Sequence, residues 1–264
     1  MIFDTHAHYL DHRFDEDREE LIDSLKENNV KKVVEVSAGV DDADKIIEFI
    51  DGHADFYGTL GVHPSEVSDL SEDDIDKMKK FSANEKIVAI GEIGLDYHFD
   101  DNPDPEVQKK WFIRQLELAN ELNLPVVIHS RDAAKDTYDI LLEHHRGTGK
   151  EAKDGFAGGV IHCFSYSKEM AAEFVKLGYF IGLDGTVTFK NSKAAKEVAA
   201  TVPIDRLVVE TDSPYLAPEP LRGSRNCSAN LKYVINVIAE IRDVAYDEME
   251  EILYNNAKTL YNLH

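Results

Sequence analysis

A chain of 264 residues that is 43% hydrophobic and 30% charged can bury a full core and is too apolar to be intrinsically disordered. Its 51 acidic against 29 basic side chains leave a net charge of −22, which excludes a protein that grips nucleic acid through a broadly basic surface. Two cysteines, Cys163 and Cys227, make no disulfide framework, and no apolar run approaches the ~18 residues of a membrane span.

The N-terminus, MIFDTHAHYL, sets no basic segment ahead of a long apolar stretch. No secretory signal is therefore expected, and the protein is assigned to the cytoplasm with no membrane and no obligate protein partner. Ile2–Thr5 reads as the first strand and delivers His6 and His8 two residues apart. On extended backbone such a pair points the same way, so both imidazoles can face one point. A helix over Glu16–Asn28 follows, then a strand at Lys32–Ser37, a helix at Ala43–Asp51 and a strand at Phe56–Val62 that leads into His63. Ser71 is a cap for a helix over Glu72–Ser82, with acids in its first turn. The fourth strand, Ile87–Ile93, closes with Glu92. Pro105 suits the first position of a helix that runs to Asn123. Strand five, Pro125–His129, ends on His129, with Arg131 just beyond. After a helix at Ala133–His145, residues 147–158 (GTGKEAKDGFAG) read as a longer surface loop. Strand six, Gly159–Phe164, carries His162 near its end, and a helix over Lys168–Lys176 stops before Gly178. Strand seven is Tyr179–Leu183, followed by a helix at Ala194–Ala200. Strand eight, Leu207–Thr211, leads into Asp212, and two helices, Ala229–Arg242 and Tyr246–Asn262, complete the chain.

Eight near-continuous apolar strands alternating with helices mean parallel βαβ units covered on both faces. In this length they predict an α/β fold, a single-domain (β/α)8 TIM barrel over residues 1–264. His6, His8, Glu92, His129, His162 and Asp212 then lie at or near the C-terminal ends of five strands, where barrel enzymes keep their active sites. Any one of them alone would read as a rim or capping residue; the conjunction reads as a metal site. With no cysteine among them, a structural zinc is disfavoured. Four imidazoles and two carboxylates suit two divalent cations sharing a carboxylate, with zinc, manganese or magnesium all compatible. Asp212 is the candidate general base for a metal-activated water, and Glu210 should point to the same side of strand eight.

At this point the sequence resembles the TatD family of metal-dependent deoxyribonucleases, within the amidohydrolase-like barrel superfamily. The resemblance runs from Phe3 to about Ala257. It rests on Phe3-Asp4-Thr5-His6-Ala7-His8, Gly61-Val62-His63-Pro64, Gly91-Glu92-Ile93-Gly94-Leu95-Asp96-Tyr97 and Pro125-Val126-Val127-Ile128-His129-Ser130-Arg131. It continues in Ile161-His162-Cys163-Phe164-Ser165 and Val209-Glu210-Thr211-Asp212-Ser213-Pro214-Tyr215-Leu216. It implies a deoxyribonuclease acting as an exonuclease on single-stranded DNA ends, with His6, His8 and Asp212 on one cation, His129 and His162 on the other, and Glu92 bridging.

One segment departs from the family pattern: after Arg222-Gly223-Ser224-Arg225-Asn226, Cys227-Ser228 stands where Glu-Pro is usual. Ser65 likewise replaces a second histidine after His63-Pro64. Neither change touches a proposed ligand, but both bear on substrate positioning. Local positive charge for a nucleic acid would come from Arg222, Arg225 and Arg131, whose guanidinium forks match phosphate oxygens. His63 and Tyr97 complete the expected substrate-contacting set. The same centre could instead hydrolyse another ester, an amide or a lactone, including an aminoacyl-tRNA ester, or hold metal in a non-catalytic scaffold.

Overall fold

The short β-branched runs form eight strands: β1 (Ile2–Ala7), β2 (Val30–Glu35), β3 (Phe56–Leu60), β4 (Ile87–Asp96), β5 (Val126–Arg131), β6 (Gly159–Ile161), β7 (Tyr179–Leu183) and β8 (Leu207–Val209). The structure is a computed structural model that describes residues 1–39, 41–144 and 158–263. Helices α1 (Arg18–Leu25), α2 (Asp42–Gly52), α3 (Glu72–Phe81), α4 (Pro105–Leu122), α5 (Ala134–His144), α6 (Lys168–Lys176) and α7 (Lys193–Thr201) alternate with the strands, and α8 (Leu231–Arg242) and α9 (Tyr246–Leu260) follow β8. Each strand pairs in parallel with the next, in the order β1 to β8. The ring closes where Ala7 bridges Ser213, the His8 amide donates to Ser213 O (2.8 Å) and the Asp212 amide donates to His6 O (2.9 Å). The fold is the expected single-domain (β/α)8 barrel. Among the described residues no helix is long and apolar enough to cross a membrane.

Two apolar layers hold the barrel. Phe3, Val34, Val88, Val127, Val160, Phe180 and Val208, one from each of seven strands, cluster with Leu260 and Tyr261 at the end of α9. Residues from nearly every strand of a closed ring can meet only in its lumen, so this cluster fills the barrel beneath the mouth. The larger cluster lies between the strands and the helices. Helix ends follow the local chemistry. The Asp104 carboxylate accepts from the Glu106 amide at the start of α4, and Asp74 accepts from the Ser71 amide to close a capping box on α3.

Boundaries shift where tertiary structure overrides pattern. β4 runs on to Asp96 because it stays in register with β5, pairing Asp96 with Arg131. Gly94 makes this possible: a Cβ there would lie 1.9 Å from His129 O. β6 and β8 end early, at Ile161 and Val209, and soon after them Cys163 (φ 45°) and Asp212 (φ 54°) take left-handed backbone, costing a non-glycine residue ~1–2 kcal/mol. Except for Gly158, the loop expected over 147–158 lies outside the described residues, as does His145, the expected last residue of α5.

Candidate metal centre

The site begins with β1. His6 and His8 bring their Nε2 atoms to 3.1 Å from each other. His8 Nδ1 donates to Val36 O at 2.9 Å, which leaves the lone pair of the neutral ring on Nε2, facing the cavity. Asp212 Oδ1 lies 3.5 Å from His8 Nε2 and 3.8 Å from His6 Nε2. Two facing nitrogens with a carboxylate oxygen beside them crowd three donor atoms together, the arrangement a divalent cation satisfies once it displaces the His8 Nε2 proton.

Glu92 is the hub on the far side. Its Oε2 is 3.4 Å from His6 Nε2, and its Oε1 is 2.8 Å from His129 Nδ1, 3.8 Å from His162 Nε2 and 3.9 Å from His63 Nε2. The His162 ring stacks on His6 at 3.5 Å between centroids. His162 Nδ1 sits 3.1 Å from Glu210 Oε1, an ion-pair distance out of line for a hydrogen bond. Gly182 leaves room for this buried carboxylate, since a Cβ there would lie 2.4 Å from Glu210 Oε1.

Among the described residues three groups bring one donor atom from each member within 4.8 Å: His6, His8 and Asp212; His6, Glu92 and His162; and His63, Asp96 and His129. The first two adjoin through His6, and their oxygen and nitrogen donors fit divalent cations of the zinc, manganese or magnesium kind. The third fits less well. His63 Nδ1 accepts from the Ser65 amide at 3.2 Å, so the neutral ring carries its proton on Nε2 and presents a donor to the cavity. His129 Nδ1 and His162 Nε2, paired by the family resemblance, both face Glu92 Oε1, at 2.8 and 3.8 Å. His129 sits between carboxylates, Nδ1 on Glu92 and Nε2 3.3 Å from Asp96, because the prolonged β4 carries both acids to the same ring.

Electrostatics follow from burial among charges. Burial opposes charge on His8 and His162, yet Asp212, Glu92 and Glu35 hold His8 up to about 9, while Glu210, Glu92 and Asp212 hold His162 up to about 10. Burial likewise opposes charge on Glu92 and Asp212, but neighbouring imidazoles hold Glu92 well below and Asp212 below the usual carboxylate range. Burial and His129 bring His63 down to about 4, which keeps it neutral near pH 7.

These groups open into a cavity of about 620 Å³, lined also by Lys45, Phe99, Arg131 and Tyr215. Arg131 is exposed, and among the described residues no carboxylate lies within 4.0 Å of its guanidinium. The other two expected arginines do not line this cavity. Arg225 is spent on Asp17, through contacts of 2.7 and 2.5 Å, and stacks over Phe14; Arg222 lies over Phe189 in a separate bay. Tyr97 does not line it either, because its hydroxyl turns to Asp136 at 3.0 Å. Sequence reasoning did not single out Asp96 or Phe99. Asp96 had a signal, standing four residues after Glu92 and so on the same face of an extended strand. The Cys227-Ser228 departure has a structural meaning: Ser228 Oγ donates to buried Asp4 (2.6 Å), which also accepts from Thr211 Oγ1 (2.6 Å) beneath the site.

The sequence model of the TatD-related DNases matches residues 3–262. An uncharacterized metal-dependent hydrolase of Bacillus subtilis (strain 168), YabD, is 42% identical over 264 residues, covering all of both chains. Another, YcfH of Escherichia coli (strain K12), is 39% identical over 206 residues, 78% of this chain and 73% of that one. The crystal structure of YjjV, a TatD homolog from E. coli K12, superposes with a TM-score of 0.90 at 30% identity, covering 100% of this chain and 98% of the other.

Proposed function

Because the chain belongs to the TatD-related DNase family and is a metal-dependent hydrolase of that family, we propose that it cleaves phosphodiester bonds of single-stranded DNA, working from strand ends. The observation that carries this reading is the adjacency of two donor groups beside the guanidinium of Arg131, which has no carboxylate partner among the described residues, on the same cavity. His6, His8 and Asp212 would hold one divalent cation, and Glu92, His129 and His162 the neighbouring one, with His129 Nδ1 and His162 Nε2 both facing Glu92 Oε1. Bound cations would supply electrophilic charge at the phosphoryl group and a water acidic enough to attack at neutral pH.

The chain's own groups do the rest. Asp212, at the mouth and 19% exposed at its side chain, takes the proton of the attacking water. Arg131 binds a phosphate oxygen with its fork and stabilises charge developing there. His63 donates its Nε2 hydrogen into the cavity. Glu210 holds the imidazole of His162 in place from behind. The test is turnover of metal-loaded protein on 3′- and 5′-labelled single-stranded oligonucleotides, beside an aminoacyl ester and a lactone. Stepwise loss of terminal nucleotides supports the reading; hydrolysis of the ester or lactone with DNA untouched overturns it.

A further inference from the structure

Five large hydrophobic side chains are exposed among the described residues, and only two of them, Phe99 (50% exposed) and Tyr215 (42%), are aromatic. Both line the cavity of the metal centre. Phe99 follows β4 and Tyr215 follows β8, and in an eight-stranded ring these strands stand opposite each other. The two rings therefore flank the metal donors from opposite sides of the mouth. Each has a guanidinium over one face: Arg131 lies 4.8 Å from the Phe99 centroid and Arg13 lies 4.6 Å from the Tyr215 centroid. Among the described residues neither arginine has a carboxylate within ion-pair distance, although the chain carries 51 acids. The Tyr215 ring is also tethered, through its hydroxyl, to Asp11 Oδ2 at 3.0 Å.

We infer that Phe99 with Arg131 and Tyr215 with Arg13 are two nucleobase-stacking subsites, one on each side of the scissile phosphate. The inference rests on the nuclease reading above and adds which residues grip the substrate. An exposed ring costs apolar surface in water and repays it only when a flat partner covers it; a base supplies that partner and its phosphate meets the guanidinium. Stacking tolerates any base and needs the bases unpaired, so this arrangement selects single strands without reading sequence. It also lets a strongly acidic protein hold a polyanion, because the grip is on bases and needs only the few positive groups around the cavity.

The experiment compares kcat/KM on a short oligothymidylate and on the same oligonucleotide built from 5,6-dihydrothymidine, whose saturated ring keeps its polar groups but loses its flat π-face. Wild type should favour thymidine by about five-fold or more. Phe99→Leu and Tyr215→Leu should each shrink that preference at normal metal content, and Tyr215→Phe, which keeps the ring, should retain it. Equal rates on both oligonucleotides in wild type, with DNA cleaved, would overturn the stacking subsites while leaving the nuclease reading intact. A preference that responds to one ring only would overturn the two-sided arrangement. Cleavage of neither oligonucleotide by metal-loaded protein would bring down the nuclease reading, and the subsites with it.

Discussion

Asp212 reaches the mouth on a left-handed turn, with Oδ1 between two imidazoles. Asn in its place keeps the shape but loses the charge and the basic oxygen. Asp212→Asn should therefore slow turnover by ~10²–10⁴ with little change in melting temperature, read by steady-state kinetics at saturating metal. Near-normal turnover would mean another group takes the proton. The six metal-competent side chains could be found in the sequence because each follows or ends an apolar run, and strand ends are where a barrel gathers chemistry. The arginines could not be sorted that way. Arg222 and Arg225 sit soon after Asp212 in the chain, but Asp17, more than 200 residues earlier, claims Arg225. No local pattern announces such a long-range partner.

At the level of the element, β8 and the residue turn after it deliver both Glu210 and Asp212, the first behind His162 and the second in front of it. Glu210 is fully buried and also accepts from the Cys163 amide. Glu210→Gln removes the charge that orients His162, so zinc or manganese affinity should fall about 10- to 100-fold while the protein stays folded. Equilibrium dialysis against a chelator series reads this directly; unchanged affinity would reduce Glu210 to a packing role. The alternation of strands and helices gave the barrel because hydrophobic period and strand length are local properties. The reach of β4 was not local. Gly94 resembles a strand terminator, and only the close approach of His129 O explains why the strand passes through it to place Asp96 at the mouth.

For the molecule as a whole, protons and cations compete for one site. In the metal-free protein His8 is held up to about 9 and His162 to about 10, above the ordinary value near 6.5. A raised imidazole pKa stabilises the folded state fully below pH ~6.5 and loses that contribution as pH climbs through the folded-state values. Metal must displace both protons, so its affinity should rise with pH across the same window, by up to about ten-fold per unit for each proton released. Calorimetry in buffers of different ionisation enthalpy should show proton release on binding; pH-independent affinity would mean that both rings are already neutral. Charge also shapes how substrate is held. With a net charge of −22 and few positive side chains lining the cavity, binding should respond weakly to salt, with a slope of only about −2 in log K against log salt for single strands. Arg131→Ala should flatten that slope by about one and raise KM. A steep wild-type slope would point to many phosphate contacts outside the cavity.

The seam between β1 and β8 joins the first strand of the barrel to the last, and the donors His6, His8 and Asp212 lie on either side of it. During synthesis the two histidines leave the ribosome more than 200 residues ahead of their carboxylate partner. The nascent polypeptide thus cannot assemble this donor group until most of the barrel has been made. A cation held across the seam would tie the earliest strand to the latest, and its capture would then report completed folding.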